Sequence, residues 1–379
     1  MTRLIAIDLP ASEQLRTEVE RAWDAGHAVL PLDQRMNPAI RRKVAVSLGA
    51  DELVSRDATD HLQPLDTTHV PLQDGDALVI ATSGSTGAPK GVVHTHTSIA
   101  AHARMVAQRL ALTSSDQWWL CLPPAHIGGF GVLSRAMHLG ARITFADHVD
   151  DSTLAQAIAG GATHTSVVPT LLSRHSFAEW QLVLVGAARS EILPPNAVST
   201  YGLTETCGGV VYDGVALSDV EVRLSNGRIH VRTPSMARSY RHGPLPLIDG
   251  WLDTGDLGTF VESPHDGSPA QGMLRVEGRS DDLIITGGNK VWPHIVEQRL
   301  REHPLVADVV VRGVSDTEWG AIVKAWIAPT SKDRPPTLDA LRAHVKETLA
   351  AYCAPQRITL VESIPRSALC KVLMSELPE

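Results

Sequence analysis

The stretch "ATSGSTGAPKGVVHTH", residues 81–96, gathers Thr82, Ser83, Gly84, Ser85, Thr86, Gly87 and Lys90 directly after the apolar run "ALVI". Clusters of Gly, Ser and Thr between ordered segments ordinarily form surface loops. The same residues also suit a phosphate cradle. Glycines free backbone N–H groups, hydroxyls add donors, and one lysine supplies a cation for a polyanion. Two common nucleotide loops do not fit. A Walker A loop needs G-x-x-x-x-G-K-[ST], whereas here Gly87 follows Gly84 by three positions and Gly91, not Ser or Thr, follows Lys90. A dinucleotide fingerprint needs G-x-G-x-x-G, and the nearest candidate, Gly129-Phe130-Gly131, has Ser134 in place of the third glycine. Read alone, the stretch leaves loop and cradle both open.

The surrounding chain is that of an ordinary globular protein. It has 379 residues, 43% hydrophobic and 20% charged, with room for two domains. A net charge of −8 gives no electrostatic footprint for nucleic acid. The short apolar start "MTRLIAIDLP" is interrupted by Asp8 and makes a poor signal peptide, and no apolar run approaches a membrane span. Cys121, Cys207, Cys353 and Cys370 show no C-x-x-C spacing, so zinc and a disulfide framework are not expected, and free thiols suit the cytoplasm.

"HAVLPLD" and "ALVIATS" read as extended pieces. "TSIAAHARMVAQRLAL", with Ile99, Ala103, Val106 and Leu110 on one face, reads as a helix capped by Thr97 or Ser98. "ARITFA", "HTSVVPT" and "QLVLVGA" are short β-rich runs between helical or loop segments, a pattern that predicts an α/β sheet with several parallel strands. From about residue 215 the short runs "EVRLS", "GRIHVRT", "GTFVE" and "MLRVEG" predict a smaller β sheet. After the charged turn Arg279–Asp282, a tail with helices near 293–302 and around Leu338, Leu341, Val345 and Leu349 predicts a separate α+β domain. The expected division is 1–279 and 280–379.

Six separated segments resemble, in order, the motifs of the acyl-adenylate-forming superfamily, which includes acyl-CoA synthetases, luciferases and peptide-synthetase adenylation domains. They are "TSGSTGAPKG" (82–91), "YGLTET" (201–206), "GWLDTGDLG" (250–258), "GRSDDLIITGGNKVWPHIVE" (278–297), "HPLVADVVVRGVSDTEWG" (303–320) and "PRSALCKVL" (365–373). The resemblance runs from about residue 75 to 373; the first 75 residues match poorly and are shorter than the superfamily's usual N-terminal region. Within it, "PPAHIGGFGVLSRAMHLGA" (123–141) and "THTSVVPTLL" (163–172) are similar to the compact o-succinylbenzoate–CoA ligases of menaquinone biosynthesis. The fold this implies is α/β: a large N-terminal domain of mixed, mostly parallel sheets with helices and a small β subdomain, followed by a small mobile α+β C-terminal domain.

The resemblance also implies roles. The cradle 82–91 with Lys90 would hold the β- and γ-phosphates of ATP, Thr204 the α-phosphate, and Glu205 a Mg²⁺ ion. Tyr201, Gly202 and the small wall Gly186, Ala187 and Ala188 would border adenine, and Asp256 and Arg279 the ribose. Lys371 would bridge the carboxylate and the α-phosphate during adenylation. Asp281 would be the hinge, and Gly287 and Gly288 would reach the pantetheine channel of coenzyme A. His126, Ser166 and Arg135 fall at the acyl site, Arg135 as partner of a second substrate carboxylate. Plainer readings stand beside these: Lys90 as an exposed loop lysine, Glu205 as a helix-end glutamate, Tyr201 as a core aromatic, Asp256 as a turn residue, His126 as a packed core histidine, Arg135 as a solvent-facing helix residue and Lys371 as a solvated one. Cys370 departs from the superfamily, which usually has glycine there. The substrates implied are a small carboxylic acid, ATP and CoA, and a homodimer is left open. The alternatives are a CoA ligase for another aryl, alicyclic or fatty acid, a stand-alone adenylating enzyme for another acceptor, or a catalytically reduced nucleotide-binding regulator. The chain stops at Glu379 with no carrier-domain attachment motif, which weighs against a modular synthetase.

Overall fold

The computed structural model describes residues 2–55, 63–65, 67, 70–83, 89–146, 148–186, 193–262, 272–366 and 372–378. Within the cradle, Gly84, Ser85, Thr86 and Gly87 lie outside the described residues, as do Ala187, Ala188, Cys370 and Lys371. Contacts divide the chain into two compact units. The first comprises residues 1–225, 229–254 and 260–275; the second comprises 226–228, 255–259 and 276–379.

The first unit holds two seven-stranded sheets. In one, the spatial order is Ser239–Tyr240, Pro89–Thr95, Asp76–Ser83, Ala28–Pro31, Leu4–Asp8, Glu52–Ser55 and Gln63–Pro64. Asp76–Ser83 runs antiparallel to Pro89–Thr95 and parallel to Ala28–Pro31, which is itself parallel to Leu4–Asp8. In the other, the order is Val215–Ala216, Gly208–Tyr212, Ala197–Leu203, Leu182–Gly186, His164–Val167, Gln117–Leu120 and Arg142–Phe145. Its last five strands are parallel, and Gly208–Tyr212 closes an antiparallel hairpin on Ala197–Leu203.

Strand alternation builds the core. Ile5 and Ile7 face one way with Leu78 and Ile80, into a cluster completed by Met105, Val106, Phe130, Leu133, Trp118 and Leu184. Leu4, Ala6 and Val79 face the opposite way, against Leu30, Leu48 and Val93. Adjacent Trp118 and Trp119 likewise enter different clusters, the second with Trp180 and Leu154. The helices His96–Leu110 and Ile127–Leu139 thus lie between the two sheets, which explains why every residue from Gly129 to Ala136 is buried. The first of these helices starts two or three residues earlier than a cap at Thr97 or Ser98 would place it. Thr95 caps it: its Oγ1 accepts from the Ser98 N–H, and Ser98 Oγ accepts from the Thr95 N–H to complete a capping box, so Thr97 is not the cap and Ser98 is the cap's third-position partner.

A five-stranded sheet orders Glu221–Ser225, Arg228–Arg232, Trp251–Val261 and Leu247–Ile248, with Met273–Arg279 also on Trp251–Val261. The "WLDTGD" and "GTFV" segments, which read as separate, form that one 11-residue strand. In the second unit, the order Asn289–Val291, Ile284–Thr286, Gly320–Pro329, Val306–Asp316, with Arg357–Leu360 on Gly320–Pro329, packs against helices Pro293–Arg301 and Leu338–Lys346 through Val296, Leu300, Leu341 and Val345. Leu349 packs there too, beyond the helix end. Among the described residues no helix is long and apolar enough to cross a membrane.

Candidate active site

The first unit brings the ends of the two sheets' motifs together. Thr82 and Lys90 face each other across the hairpin that carries the cradle, and Thr82 Oγ1 donates to the Lys90 carbonyl at 3.2 Å. The strand Ala197–Leu203 ends in a single 3₁₀ turn, Thr204–Thr206. Its shape is fixed from several sides. His94 Nε2–H donates to Thr204 O at 2.7 Å, Ala237 N–H donates to Glu205 O at 2.7 Å, and Ser235 Oγ donates to Thr206 O at 2.9 Å. Cys207 leaves the turn at φ 62°. Gly202 has no room for a side chain: a Cβ there would stand 1.9 Å from Gly208 O. Tyr201 is half-buried beside it.

Glu205 Oε1 accepts a hydrogen bond from Tyr240 Oη at 2.8 Å, and the Lys90 ammonium lies over the Tyr240 ring, 5.5 Å from its centre. Gly186 ends its strand opposite Thr200, at the carboxyl edge of the parallel strands where ligands bind in open α/β sheets. Ser166 is buried on the neighbouring strand, and its carbonyl faces the Cys121 thiol at 3.4 Å.

His126 forms the N-cap position of helix Ile127–Leu139, only partly exposed, with Nε2 3.0 Å from Asp33 Oδ2 and 2.8 Å from Arg35 Nη2. Burial would raise the Asp33 carboxyl, but the hydrogen bonds from His126 and Arg35 outweigh it and hold the group well below the usual carboxylate range. Neither Asp33 nor Arg35 carries a sequence signal, because both lie in the part of the chain that matches no motif.

Arg135 does not face solvent. It is 3% exposed, with its guanidinium 4.4 Å from the centre of the Trp118 ring. Its Nε has no hydrogen-bond partner, and no carboxylate pairs with it among the described residues. Burial pulls its pKa down, while Tyr212 and Cys207 partly restore it. Burial in turn pushes the Cys207 thiol and the Tyr212 phenol up to about 12, so both are neutral. The nearby His102, 3% exposed, is lowered to about 3 by burial and by the Arg135 charge, and its Nε2–H donates to Gly209 O at 2.9 Å. A cation is therefore held dry among neutral groups.

The second unit carries the other predicted residues. Asp256 is buried, with Oδ1 3.6 Å from Arg279 Nη1. Gly255 stands at φ 74°, a left-handed conformation that L side chains rarely adopt, and the Arg279 guanidinium lies over the space a Cβ would take. Asp281 sits in the 3₁₀ turn Ser280–Asp282, its Oδ1 accepting from Ser280 Oγ at 3.2 Å, and Ser280 Oγ also accepts from Arg228 Nη1 at 2.9 Å. Gly287 and Gly288, at φ 53° and 79°, make the two-residue turn between Ile284–Thr286 and Asn289–Val291, a geometry that needs positive φ at both positions.

The chain matches the AMP-binding enzyme family over residues 20–241 and the AMP-binding enzyme C-terminal domain over 295–371. It is 37% identical over 363 residues to the probable 2-succinylbenzoate–CoA ligase of Mycobacterium tuberculosis, covering 88% of this chain and 92% of that one. It is 31% identical to the 2-succinylbenzoate–CoA ligase of Listeria monocytogenes, covering 80% and 70%. Among solved structures it superposes on the o-succinylbenzoate CoA synthetase of Bacillus subtilis in complex with its acyl-adenylate intermediate, with a TM-score of 0.84 at 24% identity, covering 100% of this chain and 88% of that one. The match over residues 20–241 includes the cradle strands, the Thr204–Thr206 turn and the Arg135 helix. The chain belongs to the AMP-binding enzyme family.

Proposed function

We propose that this chain is an ATP-dependent o-succinylbenzoate–CoA ligase, an AMP- and pyrophosphate-forming acid–thiol ligase. The family match and the named relatives at 31–37% identity support the reaction class. Two displacements make the reaction. A carboxylate oxygen attacks the α-phosphorus of ATP, and the bond to the bridging oxygen breaks, releasing pyrophosphate. The thiolate sulfur of CoA then attacks the acyl carbonyl carbon, and AMP leaves with the pair of electrons from the broken C–O bond. Both steps are served by positioning and by charge aimed at the reacting atoms.

In this reading residues 82–91 and Lys90 grip the outer phosphates, Thr204 the α-phosphate, and Lys371 answers the charge that develops during adenylation. Gly186, Ala187, Ala188, Tyr201 and Gly202 border the base, and Asp256 and Arg279 hold the ribose. Residues 1–279 act as the nucleotide and acyl domain and 280–379 as the second domain, turning at Asp281 and offering Gly287 and Gly288 to pantetheine. The described residues contain no cluster of three or more acidic, histidine or cysteine side chains fit to hold a metal by themselves. One carboxylate, Glu205, fits an ion that binds through one or two carboxylates plus substrate phosphates. Mg²⁺ held there would supply neutralising charge to the phosphates. The protein acts in the cytoplasm, where ATP and CoA are at hand.

Arg135 carries the choice of acid. o-Succinylbenzoate has two carboxylates, one activated and one that must be buried intact. An unpaired buried carboxylate costs several kcal/mol, and Arg135 is a desolvated guanidinium without a carboxylate partner among the described residues. Its test is kcat/KM for the diacid against a monocarboxylic aryl acid in pyrophosphate exchange. Arg135→Ala should lower that ratio by roughly one to three orders of magnitude. An equal loss on both acids would assign Arg135 to the fold instead.

A further inference from the structure

Tyr240 touches two candidate nucleotide residues at once, by different parts of its side chain. The hydroxyl donates to Glu205 Oε1 at 2.8 Å, and the ring face receives the Lys90 ammonium at 5.5 Å. Oppositely charged side chains this close to one phenol would otherwise close into a direct ion pair. Each would then neutralise the group meant for the nucleotide. Instead the lysine rests on the π face, where the ring quadrupole attracts a cation. The carboxylate is fixed at the far edge through one oxygen, which leaves its other oxygen's lone pairs open.

The seat of Tyr240 is rigid. Its strand lies on the sheet edge with Tyr240 opposite Val92. On one side Arg238 makes two hydrogen bonds, of 2.7 and 2.6 Å, to the buried Asp76 carboxylate. On the other, Arg241 reaches the carbonyls of Leu48 and Val70 at 2.9 and 2.8 Å. Gly91 accommodates the Arg241 stem, since a Cβ there would stand 2.6 Å from its Cγ.

We infer that Tyr240 is a positioning residue: it orients the Glu205 carboxylate for Mg²⁺ and, as a spacer, keeps Lys90 from pairing with it. The inference rests on the assignment of Glu205 to Mg²⁺ and of Lys90 to phosphate. Nucleotide binding without acid or CoA tests it, because no turnover is needed. ATP is titrated calorimetrically into the parent chain, Tyr240→Phe, Tyr240→Leu and Glu205→Gln, with Mg²⁺ and with EDTA, after thermal unfolding has checked that each variant is folded. Tyr240→Phe keeps the ring and should leave ATP affinity in EDTA unchanged. The hydrogen bond it loses is to a charged group, so the Mg²⁺ concentration for half-maximal enhancement should rise roughly tenfold and excess Mg²⁺ should restore tight binding. Tyr240→Leu should in addition weaken ATP binding in EDTA by several-fold, about the worth of a partly desolvated cation–π contact. If Glu205→Gln loses the Mg²⁺ response while Tyr240→Phe keeps the parent's, the positioning role is overturned and the Glu205 assignment survives. If Glu205→Gln keeps the full response, the assignment itself falls, and the role of Tyr240 with it.

Discussion

His94 and His102 lie in the interior, and each uses its Nε2–H on a backbone carbonyl, of Thr204 and Gly209 respectively. Burial lowers their pKa values from 6.5 to about 4 and about 3. The unfolded chain takes up protons on these rings below about pH 6.5, while the folded chain keeps them neutral until about 4 and about 3. Stability is therefore complete above that upper value and declines as pH falls below it, by about 1.4 kcal/mol per histidine for each pH unit. Urea unfolding at pH 7 and pH 5 should show the drop, and a His94→Gln, His102→Gln double variant should flatten it. An unchanged slope in the double variant would mean that other groups carry it. At this scale the sequence was legible where a motif exists. Glu205 and Lys90 stand in motifs, but His94, although inside the same quoted stretch, reads only as one of several histidines. Tyr240 is far in sequence from Glu205 and Lys90, as Asp33 and Arg35 are from His126, and spacing cannot announce them.

Elements explain what spacing could not. Helical periodicity left Arg135 free to face solvent, because a helix pattern assumes one wet face. The helix Ile127–Leu139 has none along its middle, since it lies between two sheets, and a lone arginine in it is buried without regard to period. The glycines of the motifs have separate structural reasons. Gly202 lets two strands of a hairpin meet at a register shift, and Gly255 holds a left-handed φ of 74°. Gly202→Ala places a methyl against the Gly208 carbonyl and must push the Thr204–Thr206 turn aside. Overpacking of this kind costs about 1–3 kcal/mol. The variant should melt at lower temperature and bind ATP more weakly, since Thr204 and Glu205 move with the turn. A variant with the parent's melting temperature and ATP affinity would show that the turn does not depend on this close approach.

For the whole molecule, the α/β class was legible from short β-rich runs set between helical or loop segments: "QLVLVGA" reads as the buried apolar strand Leu182–Gly186, whereas "HTSVVPT" and "ARITFA" show nothing of why polar His164–Val167 is buried or why Arg142–Phe145 lies at the sheet edge with alternate residues exposed. The sandwiching of two helices between two sheets was not legible, because it depends on which distant strands pair. Nor does an ordered set of motifs decide which acid enters. In the proposed function this molecule activates o-succinylbenzoate and passes it to CoA. The direct measurement is mass spectrometry of the products formed from a panel of carboxylic acids with ATP, Mg²⁺ and CoA, with kcat/KM for each acid that reacts. The expected products are o-succinylbenzoyl-CoA, AMP and pyrophosphate in equal amounts, with the diacid giving the highest kcat/KM of the panel. Thioester formed from another acid but not from o-succinylbenzoate, by a folded protein that binds ATP, would contradict the proposed function.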